Sequence, residues 1–172
     1  MKTAVIFGSG DCSPRSKLYK TAQKLGETLG SKGYNIANGG YFGVMEASAK
    51  GAAKFNVERI GVVFKNYKDY PNKYITKIIE ANSYLDRLDK LITIGDVFFL
   101  LEGGSGTLLE FVSLLALSQR NLKSAPAVCI GRKWTKILRC LNKILNYKDT
   151  IQFGAKITIV SNIDEAFKFL DL

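Results

Sequence analysis

The sequence predicts an α/β fold, doubly wound (Rossmann-like) around a mostly parallel sheet of about six strands with helices on both faces. Short apolar segments rich in β-formers alternate with helix-period segments along the chain, a pattern typical of βαβ units. Gly-rich turns follow three of the predicted strands. The chain has 172 residues, of which 47% are hydrophobic and 3 are proline, as expected of one domain with an apolar core. We therefore expect residues 1–172 to form a single domain.

The predicted strands are short runs of apolar and β-branched residues. They lie at Thr3–Phe7, 34–37, Arg59–Phe64, 97–101, Ala127–Ile130 and Ile157–Val160. Between the third and fourth strands, residues 65–74 have no periodicity and are rich in tyrosine. This segment is predicted to be a polar loop, either plain surface or the border of a ligand site.

The helical segments show apolar residues at intervals of three and four. Residues 18–29 end before a stop signal at Gly33, and residues 107–119 are apolar almost all round, which predicts a helix buried on most sides. In the last helix we expect Asn162 to cap the N-terminus while Glu165 reaches back. The remaining predicted helices are residues 43–55, Tyr84–Ile94, 133–146 and, for the last, 164–170.

Composition excludes several kinds of chemistry. The chain has no histidine, and its three cysteines, Cys12, Cys129 and Cys140, form no CxxC pair. This rules out the common zinc sites, Ser-His-Asp and Cys-His nucleophiles and imidazole acid–base catalysis. Any catalysis has to use carboxylates, Arg, Lys, Tyr, hydroxyls or backbone dipoles, and we predict no metal and no redox cofactor. The cysteines are interpreted as buried free thiols in a reducing compartment.

The apolar runs are much shorter than the roughly 20 residues of a spanning helix, and Met1 leads straight into the first predicted strand. We therefore expect a cytoplasmic protein with no membrane partner. The formal net charge of +10 would concentrate phosphates, nucleotides or nucleic acid near the surface. Much of the excess charge belongs to cations that we expect on the solvated face of helix 133–146 or just outside it, so nucleic-acid binding is the weaker alternative. These cations are Arg120, Lys123, Arg132, Lys133, Lys136, Arg139, Lys143 and Lys148.

Three Gly-rich turns point to a phosphate-bearing ligand. They are Gly8-Ser9-Gly10, residues 39–43 (GGYFG) and residues 103–107 (GGSGT). Loops at the carboxyl ends of parallel strands line the ligand crevice of an open sheet. Glycines there let backbone N–H groups approach an anion, and the following helix N-terminus adds positive charge. There is no GxxxxGK[ST] and no GxGxxG after the first strand, so neither ATP hydrolysis nor dinucleotide redox chemistry is indicated.

A family resemblance rests on the motif EGGSGTLLE at residues 102–110 and on Arg87 in YLDRLDKL. Together they resemble the LOG family, the cytokinin riboside 5'-monophosphate phosphoribohydrolases, whose motif is PGGxGTxxE with an upstream Arg. The family's GGGxxGLMG turn is similar to residues 38–46 (NGGYFGVME), and its FCGSS start is similar to Phe7–Gly10. The resemblance covers nearly the whole chain. The departures are Glu102 for Pro, Leu88 for Lys, Leu109 for Glu and Asn38 for Gly.

The resemblance implies hydrolysis of a nucleoside 5'-monophosphate, of the AMP or cytokinin riboside type, to free base and ribose 5-phosphate. It implies that Arg87 and Glu110 are the catalytic pair and that the protein is a homodimer. Residues implied to hold the 5'-phosphate are Gly103, Gly104, Ser105, Gly106 and Thr107. The other implied nucleotide contacts are Gly8, Ser9, Gly39, Gly40, Gly43 and Met45.

The chemistry is consistent with these residue types. A carboxylate at Glu110 would stabilise an oxocarbenium-like sugar and activate water, as glycosidase carboxylates do, and a helix N-terminus would favour its ionised form. Arg87 would order that carboxylate or steady the departing base. Ser9 and Arg15 are possible further contacts, although Ser13-Pro14 is also a helix-start signal. Two other classes stay open: a non-catalytic carrier of a nucleotide or of molybdenum cofactor, and a nucleic-acid-handling relative of the fold.

Overall fold

The computed structural model describes residues 1–65, 70–145 and 157–170, which contain seven strands in one sheet and six helices. The strands are β1 Thr3–Phe7, β2 Asn35–Asn38, β3 Arg59–Phe64, β4 Lys77–Ala81, β5 Val97–Leu100, β6 Ala127–Ile130 and β7 Ile157–Val160. The helices are α1 Lys17–Ser31, α2 Val44–Ala52, α3 Tyr84–Ile94, α4 Ser105–Gln119, α5 Arg132–Leu145 and α6 Ile163–Phe169. Residue 146 of the predicted fifth helix, Lys148 and most of the predicted loop's first half, residues 66–69, lie outside the described residues.

The strand order is β4-β3-β2-β1-β5-β6-β7, and every pairing is parallel. The chain builds outward from β1 to β4 and then returns, so that β5 pairs with the free side of β1. Val5 of β1 is opposite both Ala37 of β2 and Phe98 of β5. The order therefore reverses between β1 and β5, and ligands of such sheets bind at that switch point, beyond the carboxyl ends of the strands.

Each face of the sheet is covered by three helices, which confirms the doubly wound fold. Alternate strand residues point to opposite faces, so that Val5 and Phe7 pack with α3, α4 and α5. Ala4 and Ile6 pack with α1, α2 and α6 on the other face. The central strands are buried on both sides, and this explains why they read as continuous apolar runs in the sequence.

The sheet has seven strands where the sequence predicted about six. The additional strand, β4, pairs only with β3 at the edge of the sheet. Its Lys77 and Ile78 are exposed and its last residue, Ala81, is the buried one. An edge strand with so little buried surface lacks the apolar run by which the others were predicted.

The helix predictions hold with one correction. Glu165 N–H donates to Asn162 Oδ1 at 3.0 Å and Ser161 N–H donates to Glu165 Oε2 at 2.8 Å, which confirms the predicted cap of α6. Gly33 follows α1 with φ +77°, as expected of a helix stop. However, α4 is not buried on most sides, because Leu108, Leu109 and Val112 are exposed. The predicted burial of the cysteines also needs correction: Cys129 is buried, but Cys12 is only partly buried and Cys140 is exposed.

The helix α5 has buried Trp134 and Leu138, and its exposed cations are Arg132, Lys133, Lys136, Arg139 and Lys143. The amphipathic character predicted for this helix is therefore confirmed. Within the described ranges, no helix combines the length and apolar character needed to cross a membrane.

Candidate functional site

A crevice of about 270 Å³ lies at the switch point, beyond the carboxyl ends of β1 and β5. Arg87 from α3 and Glu110 from α4 both line it, together with eight of the residues implied to contact a nucleotide. Those eight are Gly8, Ser9, Gly39, Met45, Gly104, Ser105, Gly106 and Thr107. The fold thus brings residues from four distant parts of the chain to one place, as expected for this sheet edge.

Three of the implied contact residues, Gly40, Gly43 and Gly103, do not line the crevice. They shape the turns behind it. Gly43 has φ +63°, and a Cβ there would overlap the carbonyl oxygens of Ser9 and Gly10. Gly103 packs so closely on Thr107 that a Cβ would overlap the Thr107 hydroxyl. Other segments of the chain approach Gly43 and Gly103 so closely that only glycine fits there. At Gly43 the positive φ favours glycine as well.

The backbone of Ser9 ties the three Gly-rich turns together. Its N–H donates to the carbonyl of Glu102 at 3.1 Å, and its carbonyl accepts from Val44 N–H at 2.9 Å. One peptide segment is therefore bonded to the start of the third turn and to the end of the second. These bonds hold the crevice-lining backbone in a fixed arrangement, which lowers the entropy cost of binding a ligand.

Asn38, which stands where the family has glycine, fixes the second turn from inside the core. Its side chain is fully buried. It accepts from Gly40 N–H at 2.8 Å and donates to the Met45 carbonyl at 3.0 Å. A buried amide with satisfied donors and acceptor orders its surroundings. This departure from the family motif therefore supports the turn.

The described part of the 65–74 loop also supports this turn. Asn72 is buried, and its Nδ2 donates to the carbonyls of Gly40 and Tyr41 at 2.9 and 2.7 Å. Asn72 N–H donates to the Gly40 carbonyl as well, at 2.8 Å. None of the described residues of this loop lines the crevice. Its role is to brace the turn, which neither interpretation of the sequence anticipated.

The Arg87 side chain is fixed by contacts on several sides. Its Nε donates to the Val62 carbonyl at 2.7 Å. The guanidinium carbon lies 5.2 Å from the centre of the Phe64 ring and 5.7 Å from that of Tyr41, within the range of cation–π attraction. Arg87 is only partly exposed, so it is not the surface cation that its position on an amphipathic helix would also allow.

Glu110 lies in the second turn of α4, is partly buried, and differs from expectation in its ionisation. Removal from water raises the pKa of its carboxyl from 4.5 to about 8, and the positive charge of Arg87 only partly opposes this shift. The sequence predicted an ionised carboxylate because of the nearby helix N-terminus. That prediction was wrong, since desolvation is the larger effect. At pH 7, Glu110 is therefore mostly protonated in the crevice.

The N-terminus of α4 opens into the crevice. Its N-cap residue, Gly104, makes no side-chain capping bond, and the next three residues, Ser105, Gly106 and Thr107, all line the crevice. The first N–H groups of a helix have no partner within the helix. Backbone donors and the positive end of the helix dipole therefore face the space in which an anion would lie.

Two polar side chains of the lining, Asp11 and Tyr84, were not predicted from the sequence. Asp11 follows the first Gly-rich turn directly, and its N–H donates to Ser9 Oγ at 3.2 Å. Tyr84 precedes Arg87 by one helical turn, so the two lie on the same face of α3. That spacing was a usable signal for Tyr84. Arg15, by contrast, does not line the crevice.

Glu102, which replaces the family's proline, points away from the crevice. Its Oε2 forms an ion pair with Lys133 Nζ at 2.7 Å. Leu88, the next departure, is buried in the core, and Leu109 is exposed. Thus the departures at these positions leave the lining of the crevice unchanged.

The fold and the crevice define a doubly wound α/β protein with a glycine-lined pocket at its switch point. Residues 1–162 match the SLOG cluster4 family, and the chain belongs to that family. This confirms the LOG-type resemblance carried by the sequence motifs.

Several known proteins are similar to this chain in sequence or in fold. An uncharacterised protein of Archaeoglobus fulgidus is 31% identical over 125 residues, which span 73% of this chain and 81% of the archaeal protein. The molybdenum cofactor binding protein of Rippkaea orientalis superposes with a TM-score of 0.75 at 20% identity, over 99% of this chain and 96% of that one. The molybdenum cofactor carrier protein of Chlamydomonas reinhardtii gives 0.74 at 18% identity, over 99% and 97%. At these identities, the two structures show that the fold is shared.

Proposed function

We propose that the protein hydrolyses the N-glycosidic bond of a nucleoside 5'-monophosphate, of the AMP or cytokinin riboside type, to free base and ribose 5-phosphate. The observation that carries the proposal is that Arg87 and Glu110 line one crevice together with the open N-terminus of α4. A phosphate site, a cation and a carboxyl group of raised pKa are the parts that this reaction needs.

The 5'-phosphate would bind at the first turn of α4. Backbone N–H groups of Ser105, Gly106 and Thr107 are placed to donate to its oxygens, and the Thr107 side chain is held in place by burial. Gly104 leaves the approach open, since a Cβ there would have no neighbour within 4 Å. A phosphate bound at this point would leave the ribose and base in the part of the crevice lined by Arg87 and Glu110.

In the reaction, the oxygen of water bonds to C1' as the bond from C1' to the base nitrogen breaks. We assign Glu110 as the general base that accepts the proton of water, and the departing base takes its proton from solvent. A base whose pKa lies near the working pH is effective, because its ionised fraction is a strong acceptor. Arg87 stabilises the negative charge that develops on the leaving base, and its own charge is permanent.

The proposal is tested by incubating the protein with a panel of nucleoside 5'-monophosphates and separating free bases by chromatography. We expect base release from at least one monophosphate and none from the matching nucleoside, because the phosphate anchors the substrate. Release from nucleosides at equal rates would contradict the assignment of the α4 N-terminus as the phosphate site.

A second candidate is a carrier that binds a phosphate-bearing nucleotide or molybdenum cofactor without cleaving it. The protonated state of Glu110 at neutral pH favours this reading, because a neutral carboxyl group does not repel an anionic ligand. The two similar structures are a molybdenum cofactor binding protein and a carrier protein. Tight nucleotide binding with no base released from any monophosphate would select the carrier function.

We further propose that two copies associate through the exposed apolar face of α4. Leu108, Leu109 and Val112 are between 38% and 40% exposed, and Leu85 at 68% lies on neighbouring α3. A patch of this kind on one protein face is typical of an interface. Because Glu110 follows Leu109 directly, a second copy seated here would lie beside the crevice.

A further inference from the structure

A second and larger cleft opens farther along the same edge of the sheet, on the side of α1 and α6. Its volume is about 880 Å³, within the range of small-molecule sites. It lies beyond the carboxyl ends of β5, β6 and β7, next to α1 and α6, and it shares no lining residue with the crevice described above, which adjoins α2, α3 and α4. Its floor is apolar; Leu101, Ile130 and Ile163 are buried, and Leu18 is partly buried. The floor residues are Leu18, Leu101, Ile130 and Ile163.

The walls of this cleft carry an excess of positive charge. Lys17, Lys20, Lys24 and Arg132 line it, against the two acids Glu102 and Asp164. Both acids already have cationic partners. Lys133 Nζ lies 2.7 Å from Glu102, and Lys24 Nζ lies 3.7 Å from Asp164. Among the residues that the structure describes, no carboxylate lies within ion-pair distance of the other three cations, Lys17, Lys20 and Arg132.

The positions of these cations along their helices point to a ligand as well. Lys17 and Lys20 lie in the first turns of α1, and Arg132 begins α5; neither helix has an acid in its first turn. Helix N-termini favour acidic residues, and cations there lose some stability. Two helices depart from this preference at the same cleft. Local rules of this kind are typically broken at functional sites.

We propose that this cleft is a second ligand site, which binds a nucleoside diphosphate. The apolar floor would take the base, and the three cations without carboxylate partners match the charge of two linked phosphates. The proposal is independent of the hydrolytic function assigned to the crevice. A nucleic-acid strand is the other phosphate-bearing partner. It would run along the exposed cations of α5 instead of entering an apolar cleft.

The test is a titration of the 15N-labelled protein with ADP, read by amide NMR. Saturable shifts are expected at the amides of Gly131, Ser161 and Asn162, which border the cleft. This expectation does not depend on whether the amides of Gly104 and Thr107 in the crevice also shift. The double variant Lys20→Gln/Arg132→Gln should raise the dissociation constant from the Gly131 shifts about tenfold or more, a loss of about 1.4 kcal/mol. Its crevice response should be unchanged.

The control is the double variant Lys136→Gln/Lys143→Gln, which removes the same charge from the exposed side of α5. It should alter ADP binding less than about twofold. The proposal is overturned if ADP shifts only crevice amides, or if the test variant binds ADP as the wild type does. A third outcome also overturns the proposal: a single-stranded oligonucleotide displaces ADP, and the two double variants weaken binding of the oligonucleotide equally.

Discussion

The guanidinium of Arg87 occupies the space that a side chain at Gly39 would take. A Cβ built on Gly39 would overlap Arg87 Nη2 and lie 2.7 Å from Met45 Sδ. The glycine of the second turn therefore has a function that its backbone conformation does not explain, since its φ is not among the positive ones. It makes room for the cation that lines the crevice.

We expect Gly39→Ala to displace Arg87 and to weaken AMP binding about tenfold or more, with the fold retained by circular dichroism. Arg87→Ala should weaken binding and slow base release. Since both changes act through one guanidinium, their effects should not add: in an Arg87→Ala background, Gly39→Ala should cost much less. Full additivity of the two binding losses, measured by calorimetry, would show that Gly39 does not act through Arg87.

The rate of base release should increase with pH. Glu110 has to be ionised to accept a proton, and burial in the crevice raises its pKa to about 8. We therefore expect kcat/KM to rise about tenfold per pH unit below that pKa and to level above it, because kcat/KM reports the free enzyme. A profile that is flat from pH 6 to pH 9, or that falls, would contradict the role of Glu110 as a base.

The same pKa shift predicts how stability depends on pH. The unfolded chain loses the Glu110 proton near pH 4.5, whereas the folded protein keeps it to about pH 8. Between these two pH values the folded state binds more protons at Glu110 than the unfolded state does. The contribution of Glu110 to the free energy of unfolding therefore falls as pH rises. The amide of Glu110→Gln does not ionise. The melting temperature of the variant minus that of the wild type should therefore increase from pH 5 to pH 9.

The control for this measurement is Glu80→Gln on the exposed surface of β4. It should shift the melting temperature by a similar small amount at both pH values. A difference between Glu110→Gln and wild type that is the same at pH 5 and pH 9 would show that burial does not hold Glu110 protonated.

The proposed dimer depends on the exposed face of α4. Val112→Arg places a charge in the centre of that face, and it should convert a dimer of twice the single-chain mass to monomer in light scattering. Lys136→Gln on α5, away from this face, should leave the mass unchanged. A wild-type protein that is monomeric at micromolar concentration would remove this proposal.

Much of the fold was predictable from the sequence because the buried strands are apolar runs and the helices have apolar faces. Val97–Leu100 and Ala127–Ile130 are fully buried strands of this kind. β4 was not predictable, because Lys77 and Ile78 face solvent at the sheet edge. In α4 the sequence showed apolar character on every side but not which side would remain uncovered.

The crevice was predictable to the extent that its residues stand in turns after strands. The glycines next to Ser9 and Thr107 signal close backbone approach. The ionisation of Glu110 was not predictable, since it depends on how much of the carboxyl group the folded protein removes from water. The bracing of the second turn by Asn72 arises from a contact across 32 residues of sequence, and no local pattern encodes such a contact.

The most direct test of the proposed hydrolase compares AMP binding and single-turnover base release in the wild type and in Glu110→Gln. The amide keeps the shape of the side chain but cannot accept a proton. We therefore predict a nearly unchanged dissociation constant and base release slowed by about a hundredfold to ten-thousandfold. Base release by Glu110→Gln at the wild-type rate would contradict the account.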